Sequence, residues 1–254
     1  MPNPKAFREQ TKTAQLLAWY QKRLKRVARQ VDRIARDYSA AADPVKAASE
    51  IQMRLFSYAD EIDAWAHEIS GIMLKRAGAA DFETWKLVGG ELSAETRKRL
   101  KDALTGKAYE DLQNLQVDLI KSLPREAAEK VQEMAQRSLM TGERFASFAE
   151  DIKRLGPITM SRAICIARTE TARARTSYTQ ARAQAVGSTH YIWHTVGDGA
   201  VRPRHRQLDG TIQSWNDPPI TSEPGQKIVH SHPGQLWNCR CWAEPLFPKS
   251  KYES

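Results

Sequence analysis

Cysteine is scarce in this chain, and long apolar runs are missing. Three cysteines stand among 254 residues, and two of them, Cys239 and Cys241, are separated only by Arg240. Cysteines so close in sequence would close a strained ring, and an odd number leaves one over. They make a poor disulfide framework, and reduced thiols are expected. No stretch of eighteen or more apolar residues occurs, which argues against a membrane-spanning helix, and Met1-Pro2-Asn3-Pro4-Lys5 lacks the apolar core of a secretory leader. The expectation is a soluble protein that stays where it is made and has no membrane partner.

Acidic residues are also in deficit, giving a formal net charge of +9. The excess is uneven. Residues 1–40 hold ten Lys/Arg against three acids, residues 41–156 hold seventeen against twenty, and residues 157–254 hold twelve against seven. Basic ends of this size attract polyanions, of which nucleic acid is the commonest in a cell. The alternative is a solvated helix face that aids solubility.

The chain is rich in helical periodicity up to about residue 186. Leu17, Tyr20, Leu24, Val27, Val31, Ile34 and Tyr38 recur three and four apart, the seam of an amphipathic helix. Arg23, Arg26, Arg29 and Arg33 lie off that seam and are candidate nucleic-acid contacts. Asp43 and Pro44 suit the N-cap and first turn of a second helix. Its seam runs through Ala48, Ile51, Leu55, Tyr58, Ile62, Trp65, Ile69 and Ile72. A short connection predicts that these two long helices lie antiparallel. The pattern weakens over 78–90, where Phe82 and Trp85 suggest one short helical turn. Ser93 marks another start, for a helix through Leu100, Leu104 and Leu112 to Leu123, weakened midway by Gly106. Pro124 should open the next helix and Gly142 end it. A short helix over 144–155 should stop at Gly156-Pro157, and a longer one follows over 158–186. On this last helix Arg168, Arg175 and Arg182 form a stripe spaced by seven, suited to carboxylate or phosphate partners.

Beyond Gly187 the period changes to two, with Tyr191, Trp193 and Thr195 alternating against His190, Ile192, His194 and Val196, as in a half-buried strand. Turns are expected at Gly197-Asp198-Gly199 and at Asp209-Gly210. A second strand is expected over 211–215, an irregular Pro-rich passage over 217–234, and a last strand over 237–246 containing both Cys239 and Cys241. The fold class is therefore α+β: a mainly helical region over 1–142, then a region over 143–254 whose β-rich polar lobe occupies 188–248. That lobe concentrates His, Cys, Asp and Arg between Gly and Pro. Such groups cannot be buried without partners.

Several phrases then fall into order: Ala167-Arg168-Thr169-Glu170 on a helix; Trp193, Asp198, Val201-Arg202-Pro203-Arg204-His205 and Leu208-Asp209-Gly210; and His232-Pro233 before Asn238-Cys239-Arg240-Cys241. In this order they resemble the phage head-morphogenesis family typified by the F protein of phage Mu, over about residues 140–250. The resemblance implies a minor head protein, present in few copies and associated with the portal protein in the procapsid. It would act in assembly, DNA packaging or ejection by binding rather than by catalysis. Scaffold or major capsid protein and double-stranded DNA are further implied partners. The implied location is the head interior or portal vertex of the virion, with the host cytoplasm during assembly.

Two readings of the polar residues stay open beside it. If Cys239 and Cys241 share one side of a strand, they can join His205 and His232 around one zinc ion, a tetrahedral two-Cys two-His set. Otherwise they are two small buried thiols with the histidines satisfied by hydrogen bonds. Arg168, Glu170, Asp198, Arg202, Asp209 and Arg240 are candidates for a structural polar network, with Arg202 and Arg240 pairing to Asp198, Asp209 or Glu170. His194, His205, Asp198 and Asp209 also make up the parts of a metal-dependent nuclease, although no nuclease spacing is present. A general DNA-binding module is the third class.

Overall fold

A computed structural model describes residues 11–37, 43–88, 94–103, 106–141 and 145–246. The expectations placed on Tyr38, Ser93, Leu104 and Gly142 lie outside these. In chain order the elements are α1 (Thr11–Arg36), α2 (Pro44–Glu61), α3 (Asp63–Val88), α4 (Ala94–Lys101), α5 (Lys107–Thr141), α6 (Phe145–Ala185), β1 (His190–His194), α7 (Pro203–Leu208), β2 (Ile212–Ser214) and β3 (Trp242–Pro245). The α+β class holds, with helix predominant.

Two compact units emerge, and neither is continuous in sequence. One is drawn from Met1–Leu17, Met73–Leu112 and Arg168–Ser254, the other from Ala18–Ile72 and Gln113–Ala167. The two units are interleaved in sequence, whereas the boundary at 142/143 read from the sequence marks a change of motif content. The reason lies in element length: α1, α3, α5 and α6 run 26, 26, 35 and 41 residues, and each contributes to both units.

In the all-helical unit the seam of α1 is buried at Tyr20, Leu24, Val27, Val31 and Ile34. Val31, Ile34 and Ala35 share a core with Ala47, Ala48, Ile51 and Leu55 of α2, with Ala127, Ala128 and Val131 of α5, and with Phe148, Ile152 and Leu155 of α6. Each large side chain so buried contributes roughly 1.5–3 kcal/mol before conformational entropy is charged against it. Asp43 caps α2 as expected, its Oδ1 accepting from the backbone N–H of Val45 at 2.9 Å and of Lys46 at 3.4 Å.

Three expected helix breaks are absent, each for a packing reason. Pro124 lies inside α5 and Pro157 inside α6, although proline in a helix removes a donor and crowds the preceding turn at a cost of about 3 kcal/mol. Around Pro124 the buried face continues through Ile120, Leu123, Ala127 and Ala128, and around Pro157 through Ile152, Leu155 and Ala163. Ending either helix there would expose part of that face. Gly156 serves close approach rather than termination: a Cβ there would collide with the Asp32 carboxylate. Gly78 does the same within α3, where a Cβ would come within 2.7 Å of the Tyr178 ring. The weakened periodicity near it therefore marks a contact, and α3 continues through Phe82 and Trp85 to Val88. Gly106, by contrast, is a true break. It takes a left-handed φ of 61° and stands between α4 and α5, accepting from the backbone N–H of Tyr109 and Glu110 at 3.1 Å.

In the other unit three antiparallel strands take the order β2-β1-β3. Ile192 faces Ile212 across one side of β1, and Trp193 faces Ala243 across the other. The predicted alternation is realised: Tyr191 and Trp193 are fully buried, packed with Trp85, Leu100, Ala183, Leu208, Trp215, Cys239, Cys241 and Ala243. The last strand is shorter than expected and begins at Trp242. Cys239 and Cys241 belong to the loop that leads into it.

Candidate functional site

The loop before β3 is held to α6 by side chains of the Ala167-Arg168-Thr169-Glu170 phrase and the two turns after it. Thr169 Oγ1 accepts from the Asn238 N–H at 3.0 Å, and an Arg168 guanidinium N–H reaches Asn238 Oδ1 at 3.3 Å. Arg173 donates to the Gln235 carbonyl at 2.9 Å, and the Thr176 hydroxyl donates to the Pro233 carbonyl at 2.6 Å. Helical spacing thus places four donors and acceptors under an irregular segment whose backbone would otherwise be buried without partners. Asn238 takes a left-handed φ of 57°, which its short polar side chain tolerates, and the turn it makes directs Cys239 inward.

From the opposite side, Arg202 donates to the Trp237 carbonyl at 2.7 Å. Arg240 forms a two-pronged pair with Asp198, at 2.7 Å to Oδ1 and 2.6 Å to Oδ2, while Asp198 also accepts from the Ala200 N–H at 3.1 Å. Asp209 accepts from the Thr195 N–H at 2.7 Å, closing the end of β1. Of the pairings expected for this network, Arg240 with Asp198 is present. Arg202 instead binds a carbonyl, and Glu170 pairs with Arg173 at 2.7 Å, one helical turn away. Local spacing on α6 gives Glu170 Oε1 its partner within the helix.

Helix α7, unforeseen between the two turns, carries His205. Pro203 stands in its first turn, a signal present in the sequence, and its buried side presents His205 and Leu208. His205 Nδ1 lies 3.5 Å from the sulfur of Cys239 and 3.5 Å from that of Cys241. All three side chains are buried, and their ligand atoms lie within 4.8 Å of one another. Among the described residues this is the group of His, Cys, Asp and Glu that converges on one point. His232, expected as the fourth member, is not in it. Its Nδ1 is 3.1 Å from the Tyr191 hydroxyl, and its ring packs against both Tyr191 and Trp215 at centroid distances of 5.5 Å.

The electrostatics follow from burial. His232 is pushed down to about 4 because desolvation penalises its cation. Glu170 is pushed up to about 7 by desolvation, which the neighbouring Arg173 only partly offsets. Its Oε2 is buried with no hydrogen-bond partner. Of the two thiols, Cys239 is lowered by the hydrogen bond it receives from Cys241, and Cys241 is raised by the same interaction and by burial.

The four residues that would make up a metal-dependent nuclease have separate partners. His194 pairs with Glu244 at 2.7 Å and stacks on Trp242, Asp198 is engaged by Arg240, Asp209 binds backbone, and His205 faces sulfur. The arginine stripe also divides. Arg168 is exposed on α6 where it reaches Asn238 of the loop, and Arg175 lines a cavity of about 160 Å³ with Thr171, Cys239 and Trp242. Arg182 is buried against Asp81 of α3, whose other oxygen accepts from Thr179 at 2.6 Å. Asp81 and Thr179 were missed because nothing in their local sequence separates them from ordinary helix residues. In the all-helical unit Arg26, Arg29 and Arg33 are exposed, whereas Arg23 lies over the Trp19 ring at 4.0 Å and donates to the Trp19 carbonyl.

The segment that contributes these side chains is also the one with known relatives. Over residues 129–244 the chain matches the family described as phage Mu protein F like protein. The matched segment includes α6, β1, β2, α7, the cysteine loop and all of β3 but Pro245, and it carries the phrases on which the resemblance rests. An uncharacterized protein of Haemophilus influenzae is 33% identical over 135 residues, covering 53% of this chain and 28% of that relative. The chain thus spans under a third of that relative's length. No solved structure matches the chain.

Proposed function

We propose that this protein is a minor head protein of a tailed phage or prophage, binding the portal protein during procapsid assembly and acting in DNA packaging or ejection. The observation that carries the reading is the match of residues 129–244 to the family described as phage Mu protein F like protein, a resemblance that implies head morphogenesis. The use made of the motif residues supports it. Arg168, Thr169, Arg202 and Arg240 are spent on holding one loop, and Asp209 closes a strand end, which suits a rigid docking lobe better than a turnover site.

Contact with packaged double-stranded DNA through Arg26, Arg29 and Arg33 is a second element of the proposal, supported by their exposure on one helix. Among the described residues no helix is long and apolar enough to cross a membrane.

The test is co-expression of the full chain with the portal protein of the same phage or prophage, followed by purification at moderate salt and analysis of assembled heads. Joint elution and presence in heads are expected. A chain absent from heads and unable to retain portal protein refutes the proposal. The R26E/R29E/R33E variant should keep the portal interaction while weakening salt-dependent DNA binding; loss of neither removes the DNA element.

A further inference from the structure

The convergence of His205, Cys239 and Cys241 has a chemistry that head assembly does not require. Two sulfurs stand at the same 3.5 Å from one ring nitrogen. That nitrogen offers either one N–H or one lone pair, so it cannot serve both sulfurs equally through a single ordinary hydrogen bond. A cation satisfies all three atoms at once. For a tetrahedral zinc ion with Zn–S of about 2.3 Å and Zn–N of about 2.0–2.1 Å, the nitrogen-to-sulfur edge is about 3.5–3.6 Å. The observed separations equal that edge.

The surroundings are prepared in the same sense. The Gly234 N–H donates to Cys239 Sγ at 3.4 Å, a contact that favours sulfur as thiolate. Gly234 itself is left-handed at φ 81°, and a Cβ there would press on Thr176 and Ala172 at 3.1–3.3 Å, so the turn that presents this N–H requires glycine. His232 is engaged by Tyr191, and the site has three protein ligands. Beside it lies a cavity of about 20 Å³ bounded by His205, Cys239, Cys241, Val201, Arg202 and Asn238. That is room for one water.

We propose that His205 Nδ1, Cys239 Sγ and Cys241 Sγ bind a thiolate-preferring divalent cation, zinc foremost, with one water completing the tetrahedron. Two thiolates with one imidazole favour zinc over magnesium or calcium, which take oxygen ligands. Binding sends the thiol protons to solvent and ties α7 to the loop before β3, across 34 and 36 residues of chain. In a reducing compartment this is a cross-link that a disulfide cannot supply.

The test uses the full chain purified under reducing conditions without chelator. Elemental analysis should find one zinc per chain, and replacement by Co²⁺ should give the visible ligand-field bands of a tetrahedral site and a sulfur-to-cobalt charge-transfer band. C239S, C241S and His205→Gln should each lose the cobalt spectrum, while His232→Gln keeps it. Because a ligand variant can fail to fold, the wild-type chain carries a second readout: Cys239 and Cys241 should resist alkylation until a chelator is added, and zinc should restore protection. Two freely alkylated thiols with no bound metal overturn the proposal. A Cys239–Cys241 disulfide as the resting state does the same, and loss of cobalt in His232→Gln overturns the three-ligand assignment.

Discussion

Replacing Arg182 by Met tests how the sheet-bearing unit is held inside. Arg182 and Asp81 are 3% and 5% exposed. The guanidinium donates to Asp81, to the Leu100 carbonyl at 2.8 Å and to the Gly78 carbonyl at 3.0 Å. Removing it leaves a buried carboxylate with Thr179 as its hydrogen-bond donor and only the charge of Arg175 acting on it, and two carbonyls short of a donor. Breaking a buried ion pair in this way typically costs about 3–5 kcal/mol, whereas an exposed pair is worth about 1 kcal/mol or less. The cost should depend on pH. Burial already raises Asp81 above its ordinary value despite the arginine, so without Arg182 it escapes the penalty at acid pH by taking a proton. R182M should therefore lose about 3–5 kcal/mol in urea unfolding at pH 8 and clearly less at pH 5. The D81N/R182M variant should recover part of the loss at pH 8, because it removes the unpaired charge. A loss under about 1 kcal/mol, or one equal at both pH values, refutes the reasoning.

Two further outcomes concern the loop and its anchor. Glu170 titrates near 7 in the folded chain against an ordinary 4.5. A raised folded value means its favourable contribution is complete below about 4.5 and is lost as pH rises through about 7, on the order of 3 kcal/mol in all. E170Q, which does not titrate, should gain on wild type between pH 5 and pH 8 in paired unfolding curves; parallel stability profiles would sink the idea. Gly234→Ala should cost about 1–3 kcal/mol because the position is left-handed and crowded. Gly199→Ala, with open space around it, should stay within about 0.5 kcal/mol, and equal effects at the two sites would contradict this account of the turn.

Local chemistry alone decided a large part of this protein. Three-and-four spacing announced the seam of α1 and the buried face of α2, because a helix repeats every 3.6 residues whatever it packs against. Asp43-Pro44 announced a cap, since its hydrogen bonds close within three residues. Alternation announced Tyr191 and Trp193 as the buried face of β1. The ordered phrases from Ala167 to Cys241 carried the resemblance that the match over residues 129–244 repeats.

What the tertiary structure alone decided were choices among partners distant in sequence. Pro124 and Pro157 break helices by local rule, yet each lies inside a helix whose buried face continues beyond it. Gly78 and Gly156 look like interruptions until Tyr178 and Asp32 are seen against them. Arg182 could have faced any acid, and it was the packing of α6 against α3 that selected Asp81. His205 and His232 were equal candidates beside the cysteines. The turn at Asn238 and the six residues of α7 brought one to the sulfurs, while Tyr191 and Trp215 enclosed the other. Periodicity and capping are settled over a few bonds of chain, but which buried polar groups meet depends on how distant segments pack, and no single stretch of residues encodes that.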